Sequence, residues 1–577
     1  MVAEPAHPGL GGGTGSPQAA SASADGHGDR RLTSEAPVTK RKAGGAGLVL
    51  LTLCAGQFLM MLDTSVMNVS IATVAKDVGT TVEGIQTAIT LYTLVMASLM
   101  ITGGKIGQII GVKRAFAIGC VIYGCGSLTT AISPNLGVLL LGWSGLEGIG
   151  AVLILPSIVA LVASNFGRAE RPRAYGLIAS AAAIAIAVGP IVGGLFTSYL
   201  SWRYVFAGEV LIVLAILVLT RRLQDVPGEE GVRLDLVGTA LSALGLGAAV
   251  YGVLRSGTWG FVKPKPGQAS WLGLSPTIWL ILAGAFVLWV FFEWENRLVA
   301  RGSQPLVDPR ILRNSQLRVS LTAFFAQYFV QGGMFFAVPL FLSVALGLSA
   351  IETGVRLLPL SVTLLLAAAG IPRFFPQASP RRVARLGFLG LFLGVLALIA
   401  SLDAGAGPEI VTWPLLLCGL GVGALASQLG SVTVSSVPDE QTGEVGGLQN
   451  TITNLGISLG TALSGALVTA ALTASFLTGI EQNNAIPASV KSQTSTQLAA
   501  GVPFISDEQL KTALKEAGVA PAASDAIVSE NEQARLAGLR AGLLVLALVA
   551  LGGLLFSRRL PQLQPAATSE VAEPARD

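Results

Sequence analysis

Long apolar runs alternate with short polar joints along most of the chain. Fourteen runs reach about 19 residues or more, the length that a hydrocarbon core of roughly 30 Å demands of a helix. Their approximate limits are 47–71, 84–105, 113–133, 136–163, 174–200, 202–221, 235–255, 275–294, 317–344, 353–372, 382–402, 411–434, 446–475 and 537–556. A bilayer offers no water to backbone N–H and C=O groups, so runs of this length read as helices. The pattern predicts an all-α, polytopic membrane protein with fourteen transmembrane helices.

The polar joints carry an orientation. With the N-terminus inside, the near-membrane inside segments hold 23 Lys and Arg and the short outside loops hold 6. Such a bias sets topology, and adding or removing one span would scramble it. Both termini are expected in the cytoplasm. Residues 1–43 are rich in Gly, Ala, Ser and Pro and predict a disordered tail. Residues 557–577 form a second tail. The segment 476–536 is too polar to cross and predicts an extracytoplasmic loop. Inside it, SDEQLKTALKEAG (Ser506–Gly518) predicts a short helix. Ser506 caps it, Gln509 completes a capping box, and Gly518 stops it.

Composition agrees with this picture. The chain is 52% hydrophobic and 12% charged, where an ordinary soluble protein is about 25% charged. Cys54, Cys120, Cys125 and Cys418 fall in apolar segments without a CxxC pair. They predict small core residues and no disulfide or metal site. His7 and His27 both lie in the N-terminal tail, so proton chemistry in the membrane must use carboxylates. There is no Walker A sequence and no paired His/Cys metal site, and no G-x-S-x-G stands on a strand–turn–helix. No cofactor and no nucleic-acid partner are expected. A membrane-embedded lipid enzyme would need a nucleophile–base or metal constellation that the spans do not offer.

Charged groups inside spans are costly and are functional candidates by default. Asp63 sits mid-span in FLMMLDTSVMNVS, with Gln57 before it and Asn68 after it. Met60 and Met67 add a flexible, polarisable surface suited to varied apolar ligands. These four residues are the candidate cavity lining. Glu147 lies in LLGWSGLEGIG of the fourth span. Buried there without a partner, a carboxyl group would prefer to be neutral, which is what a reversible proton carrier needs. Glu209 follows WRYVFA in the sixth span, nearer the outer surface, where solvation alone would explain it. Three acids in the N-terminal half suit cation binding or proton exchange.

In the fifth span, Ala181, Ala185, Gly189, Gly193 and Thr197 recur every fourth residue. That spacing lines one helix face with small side chains and lets a neighbour approach closely. Pro190 supplies no N–H, so the Ile186 carbonyl loses its helical partner. Lipid cannot satisfy that carbonyl, and the face is expected against protein or a cavity.

AVGPIVGG (Ala187–Gly194) resembles the antiporter motif of drug/proton antiporters in the major facilitator superfamily, and LDTSVMNVSIA (Leu62–Ala72) resembles the first-helix motif of its fourteen-span branch. The loop GKIGQIIGVKR is similar to the superfamily's G-x-x-x-D-[RK]-x-G-[RK]-[RK] gate motif. Gly104, Gly111, Lys113 and Arg114 match it, with Gln108 at the acid position and Ile109 at the first base. The resemblance implies a latch that is weaker or carried elsewhere. Ser144 stands where the family has a fourth-helix Arg linked to proton transfer, and Glu147 aligns with the following Gln. The resemblance implies a six-helix bundle over 44–222, two inserted helices over 235–294 and a second bundle over 317–556. It further implies proton-coupled export of lipophilic or cationic small molecules through the cell membrane, that is, multidrug efflux, by a monomer. Asp63, Glu147 and Glu209 would couple protons to substrate. Ala185, Gly189, Pro190, Gly193 and Gly194 would form the antiporter seam. A dedicated exporter of one metabolite or antibiotic fits the same fold.

Overall fold

The computed structural model describes residues 43–80, 82–224, 227–228, 232–265, 267–403, 407–438, 441–487, 491 and 506–563. The expected N-terminal tail, apart from its last residue, and most of the expected C-terminal tail lie outside them. Among the described residues there is no β-strand.

Among the described residues fourteen helices reach the length of a membrane span, and all but α3 are also apolar enough to cross by composition. They are α1 (Ala43–Asp77), α2 (Val82–Ile110), α3 (Val112–Ala131), α4 (Leu136–Asn165), α5 (Arg171–Tyr199), α6 (Arg203–Thr220), α7 (Leu236–Trp259), α8 (Pro276–Ala300), α9 (Ser315–Ala345), α10 (Ala350–Phe374), α11 (Pro380–Ser401), α12 (Thr412–Val434), α13 (Thr442–Gln482) and α15 (Pro521–Phe556). A short α14 (Asp507–Glu516) precedes the last. Side-chain oxygens start many of them. Asn135 accepts from Val138 N–H at α4, Asp235 from Val237 N–H at α7, Ser275 from Thr277 N–H at α8 and Asn314 from Gln316 N–H at α9. Each bond satisfies an amide that the first helical turn leaves without a partner. Ser349 and Glu352 form a full capping box at α10.

Two apolar clusters organise the packing. The first gathers residues of α1 to α6, among them Leu53, Phe116, Trp143, Tyr175 and Phe206. The second gathers Phe324, Leu360, Phe388, Leu415 and Leu543 from α9 to α12 and α15. α7 and α8 pair closely: a Cβ on Gly284 would fall 2.6 Å from the Gly245 carbonyl oxygen. Glycine seams also join the halves. A Cβ on Gly104 of α2 would lie 2.5 Å from Gly443 O of α13, and one on Gly176 of α5 would lie 2.4 Å from Ala368 O of α10. Ser361 of α10 donates to Ala183 O of α5 at 3.1 Å.

Among its described residues, the expected extracytoplasmic connection over 476–536 is largely helical. α13 runs seven residues past position 475, to Gln482, and α15 starts at Pro521 instead of near 537. At 41 residues α13 is about 62 Å long, roughly twice a hydrocarbon core. A third apolar cluster explains the overrun. Leu472, Phe476 and Ile480 of α13 pack with Ile527 and Ala534 of α15, and Leu510 and Leu514 of α14 lean on them. Hydropathy windows miss this because the outward faces are polar. The expected short helix is present as α14, with Ser506 and Gln509 in a capping box and Gly518 at φ +71°. Asp507 at its start accepts from the Arg535 guanidinium at 2.5 Å.

Candidate functional site

α4 departs from the expected regular helix. It turns π-helical over Leu140–Glu147 before resuming as α-helix at Gly148. Such bulges re-aim side chains and concentrate at functional positions. Here the bulge carries Trp143, Ser144 and Glu147, all fully buried. Ser144 donates to Ala88 O at 2.8 Å, so it ties α4 to α2 and is engaged in packing. Trp143 Nε1 donates to both carboxylate oxygens of Asp63, at 2.8 and 3.0 Å. The Trp143 ring stacks on Tyr92 of α2, centroids 5.1 Å apart and planes within 2°.

Asp63, Glu147 and Glu209 converge. One carboxylate oxygen from each lies within 4.8 Å of the others, and all three residues are buried. Glu209 is 1% exposed, so it is a core residue and the solvation account fails. The α3 face supplies its partner: Ser127 Oγ donates to Glu209 Oε2 at 3.1 Å. Thr130 Oγ1, one turn on, reaches Glu147 Oε1 at 3.1 Å. Gly126 makes the room, since a Cβ there would fall 2.6 Å from Glu147 Cγ. The hydroxyls of Tyr92 and Tyr123 lie beside the acids. Both are buried without a hydrogen-bond partner, as are Glu147 Oε2 and Glu209 Oε1. No ion pair reaches the three acids among the described residues. Two like charges at this spacing repel by about 3.5 kcal/mol at an effective dielectric of 20. The cluster therefore cannot hold three bare charges.

The remaining expected residues divide. Ala185 is fully buried against Leu62, Val66 and Val205. A Cβ on Gly189 would meet Ser65 Oγ at 2.2 Å, and one on Gly193 would meet Val66 Cα at 3.2 Å. Gly194 faces Ile351 of α10 at 3.5 Å. Ser65 Oγ donates to Ile186 O at 3.2 Å, which satisfies the carbonyl that Pro190 leaves without its amide. One helix turn beyond, Ser70 and Thr197 hydroxyls bond at 2.8 Å. The small face of α5 is thus a seam against α1, as its spacing predicts.

Met60 and Met67 do not line an open cavity. They are 1% and 0% exposed in the first cluster, seven residues apart on the face that α1 turns to its own bundle. Gln57 is half-buried on α1, and the side chain of Asn68 lies outside the described residues. In the gate loop, Gly111 at φ +95° breaks α2 from α3, a conformation that favours glycine. Lys113 Nζ donates to Leu223 O at 3.0 Å, and Arg114 is exposed. Gly104 meets α13 directly. Sequence reasoning missed Trp143, Tyr92, Tyr123, Ser127 and Thr130. The one available signal was polar residues recurring at 123, 127 and 130 on one face of a membrane helix.

A family model described as "Major Facilitator Superfamily" matches residues 53–461. The multidrug resistance protein Stp of Mycobacterium tuberculosis is 26% identical over 447 residues, covering 77% of this chain and 80% of the relative. A probable actinorhodin transporter of Streptomyces coelicolor is 27% identical over 450 residues, covering 75% of this chain and 74% of the relative. The solved major facilitator proton:xylose symporter XylE superposes with a TM-score of 0.54 at 12% identity, covering 92% of this chain and 100% of that one. At that identity the likeness concerns the fold.

Proposed function

The chain belongs to the Major Facilitator Superfamily, and from that premise we propose that it is a proton-coupled exporter of lipophilic or cationic small molecules across the cell membrane. The observation that carries the proposal is the buried cluster of Asp63, Glu147 and Glu209 beside the α1–α5 seam. Alternating access needs one bundle to rock against the other. The Gly-Pro seam would hold α1 and α5 together as the first bundle moves, since small residues let helix backbones approach closely. Protons entering down their gradient would neutralise Asp63 and lower its attraction for a cation, which then leaves on the other side. One charge crossing 100 mV is worth about 2.3 kcal/mol, enough to drive accumulation. The name of the relative Stp supports multidrug breadth, and that of the probable actinorhodin transporter favours a second reading, export of a single antibiotic or metabolite. Both termini would face the cytoplasm, following the 23-to-6 distribution of Lys and Arg.

Reconstituted vesicles with an imposed proton gradient test this. Ethidium, puromycin and a neutral polycyclic antibiotic are offered in turn, with internal pH recorded. Gradient-driven movement of several, each with proton counterflow, is expected; movement of one alone selects the single-substrate reading. If none moves under the gradient, the export reading is wrong.

A further inference from the structure

The face at which α4 ends and α5, α9 and α11 begin carries a cavity of about 400 Å³. Arg168, Gln316, Arg381, Ser435 and the stretch Pro561–Leu563 line it. Arg168 comes from the short joint between α4 and α5, in the first half. The other residues come from the second half: Gln316 from the start of α9, Arg381 from the first turn of α11, Ser435 from the end of α12 and Pro561 from the segment after α15. Gly176 of α5 and Gly443 of α13, each within two turns of its helix start, meet the opposite half on this same face. In the proposed orientation the face meets the cytoplasm. The wall of the cavity is rich in donors. Among the described residues no acid lines it, and neither arginine pairs with a carboxylate. Arg381 N–H donates to Pro561 O at 3.2 Å, and Arg381 Nε donates to Leu560 O at 2.6 Å. Leu560 is fully buried, so the two bonds anchor this guanidinium on a fixed wall. Its two terminal nitrogens keep their donor capacity. Gln316 Nε2 donates to Val432 O at 3.1 Å and retains a second N–H. Ser435 Oγ is buried with no hydrogen-bond partner, which is costly unless a ligand engages it. Two guanidinium charges on one cavity repel, and an anion between them removes that repulsion.

We propose that this cavity is a binding site for a phosphoryl anion, held between Arg168 of the first half and Arg381 of the second. A guanidinium fork matches two phosphate oxygens at once. A monocarboxylate has oxygens for one such fork. A phosphoryl group has enough for both arginines and for the Ser435 hydroxyl. The cavity is larger than a phosphate, so a substituent on the phosphoryl group also fits. A soluble phosphorylated compound and the headgroup of an anionic lipid offer the same chemistry. Because the wall is drawn from both halves, the occupant touches both.

Two titrations of the purified full chain test the site and separate the sources. Calorimetry in phosphatidylcholine nanodiscs with inorganic pyrophosphate probes the soluble one. Native mass spectrometry with added phosphatidylglycerol probes the lipid one. Binding should weaken as salt rises, because exposed charges are screened. Arg168→Gln and Arg381→Gln should each weaken it tenfold or more, and Ser435→Ala about threefold. Arg168→Lys keeps the charge without the fork and should weaken it less than Arg168→Gln. Arg168 is exposed, so its replacement leaves the packing intact and stays informative if Arg381→Gln loosens the segment after α15. Arginine-dependent binding of pyrophosphate supports a soluble ligand. Arginine-dependent retention of phosphatidylglycerol, with pyrophosphate unbound, supports a lipid headgroup. The site is overturned if neither probe binds, or if Arg168→Gln binds them as tightly as wild type.

Discussion

The two halves of the chain handle polarity in opposite ways. The first buries three acids deep within its spans, at Asp63, Glu147 and Glu209. The second six-helix set buries amides, at Gln327, Gln331, Gln428 and Gln449, and its buried acid Glu444 sits in the first turn of α13, while the buried Glu295 belongs to the α7–α8 pair. Glu444 accepts from Asp308 N–H in the strap before α9, so its contact is with a connecting segment. An amide binds by hydrogen bonds and cannot gain or lose a proton near neutral pH. A carboxyl group does both. On the proposed reading, proton work would fall to the first half and neutral contacts to the second. Energy conversion would then depend on the halves moving together, through the contacts at α5–α10 and α2–α13.

The largest effect expected is at Asp63. Asp63→Asn keeps the shape and removes the charge in every state. It should abolish gradient-driven ethidium export and the proton release linked to it, while neutral apolar compounds still bind. Wild-type binding of a cation should weaken as pH falls, because protonation removes the attracting charge. The variant should bind ethidium without that dependence. A variant that retains the wild-type pH profile would move the coupling acid to Glu147.

Next comes the α1–α5 seam inside the first half. A Cβ on Gly189 would already fall 2.2 Å from Ser65 Oγ, so Gly189→Leu must push α5 from α1. The expected cost is about 1–3 kcal/mol of overpacking strain together with loss of transport. Thermal unfolding and vesicle transport measure the two. Normal values of both would show that the seam tolerates separation and does not transmit movement.

Much of this was legible in the chain itself. The Gly-Pro seam could be read from a four-residue period and a missing N–H, because both act locally. Its partner could not: Ser65 meets Ile186 O across 121 positions of sequence. Asp63 and Glu147 stood out as acids in apolar spans. Their meeting with Glu209 did not, because the π-helical turn of α4 sets the direction of Trp143 and Glu147. A one-residue change of helical phase is invisible to a period count. The methionines mislead for the same reason: flexible and apolar describes a core residue as well as a cavity wall, and packing decides.

A smaller effect is expected at Glu147. Glu147→Gln removes one carrier and keeps the bond from Thr130. Proton release per ethidium should fall several-fold in vesicles, with expression and ethidium affinity little changed. Proton release equal to wild type would show that Glu147 is a packing residue and would narrow the acid half to Asp63 and Glu209.

The smallest effect sharpens the contrast from the other side. Gln331 of α9 is 9% exposed, and its Oε1 has no hydrogen-bond partner. A buried acceptor left unpaired costs about 1–3 kcal/mol, so the native site is held ready for a donor. Gln331→Leu keeps much of the volume and removes that acceptor. If the second half offers neutral contacts to substrate, affinity for a hydrogen-bond-donating compound such as puromycin should fall by several-fold, whereas the proton release per molecule moved stays that of wild type. Stability should hold or rise slightly, because an unsatisfied polar atom leaves the interior. The decisive quantity is the ratio of protons to substrate. Should Gln331→Leu change that ratio, the second half takes part in proton coupling, and the division of labour between acids and amides does not stand.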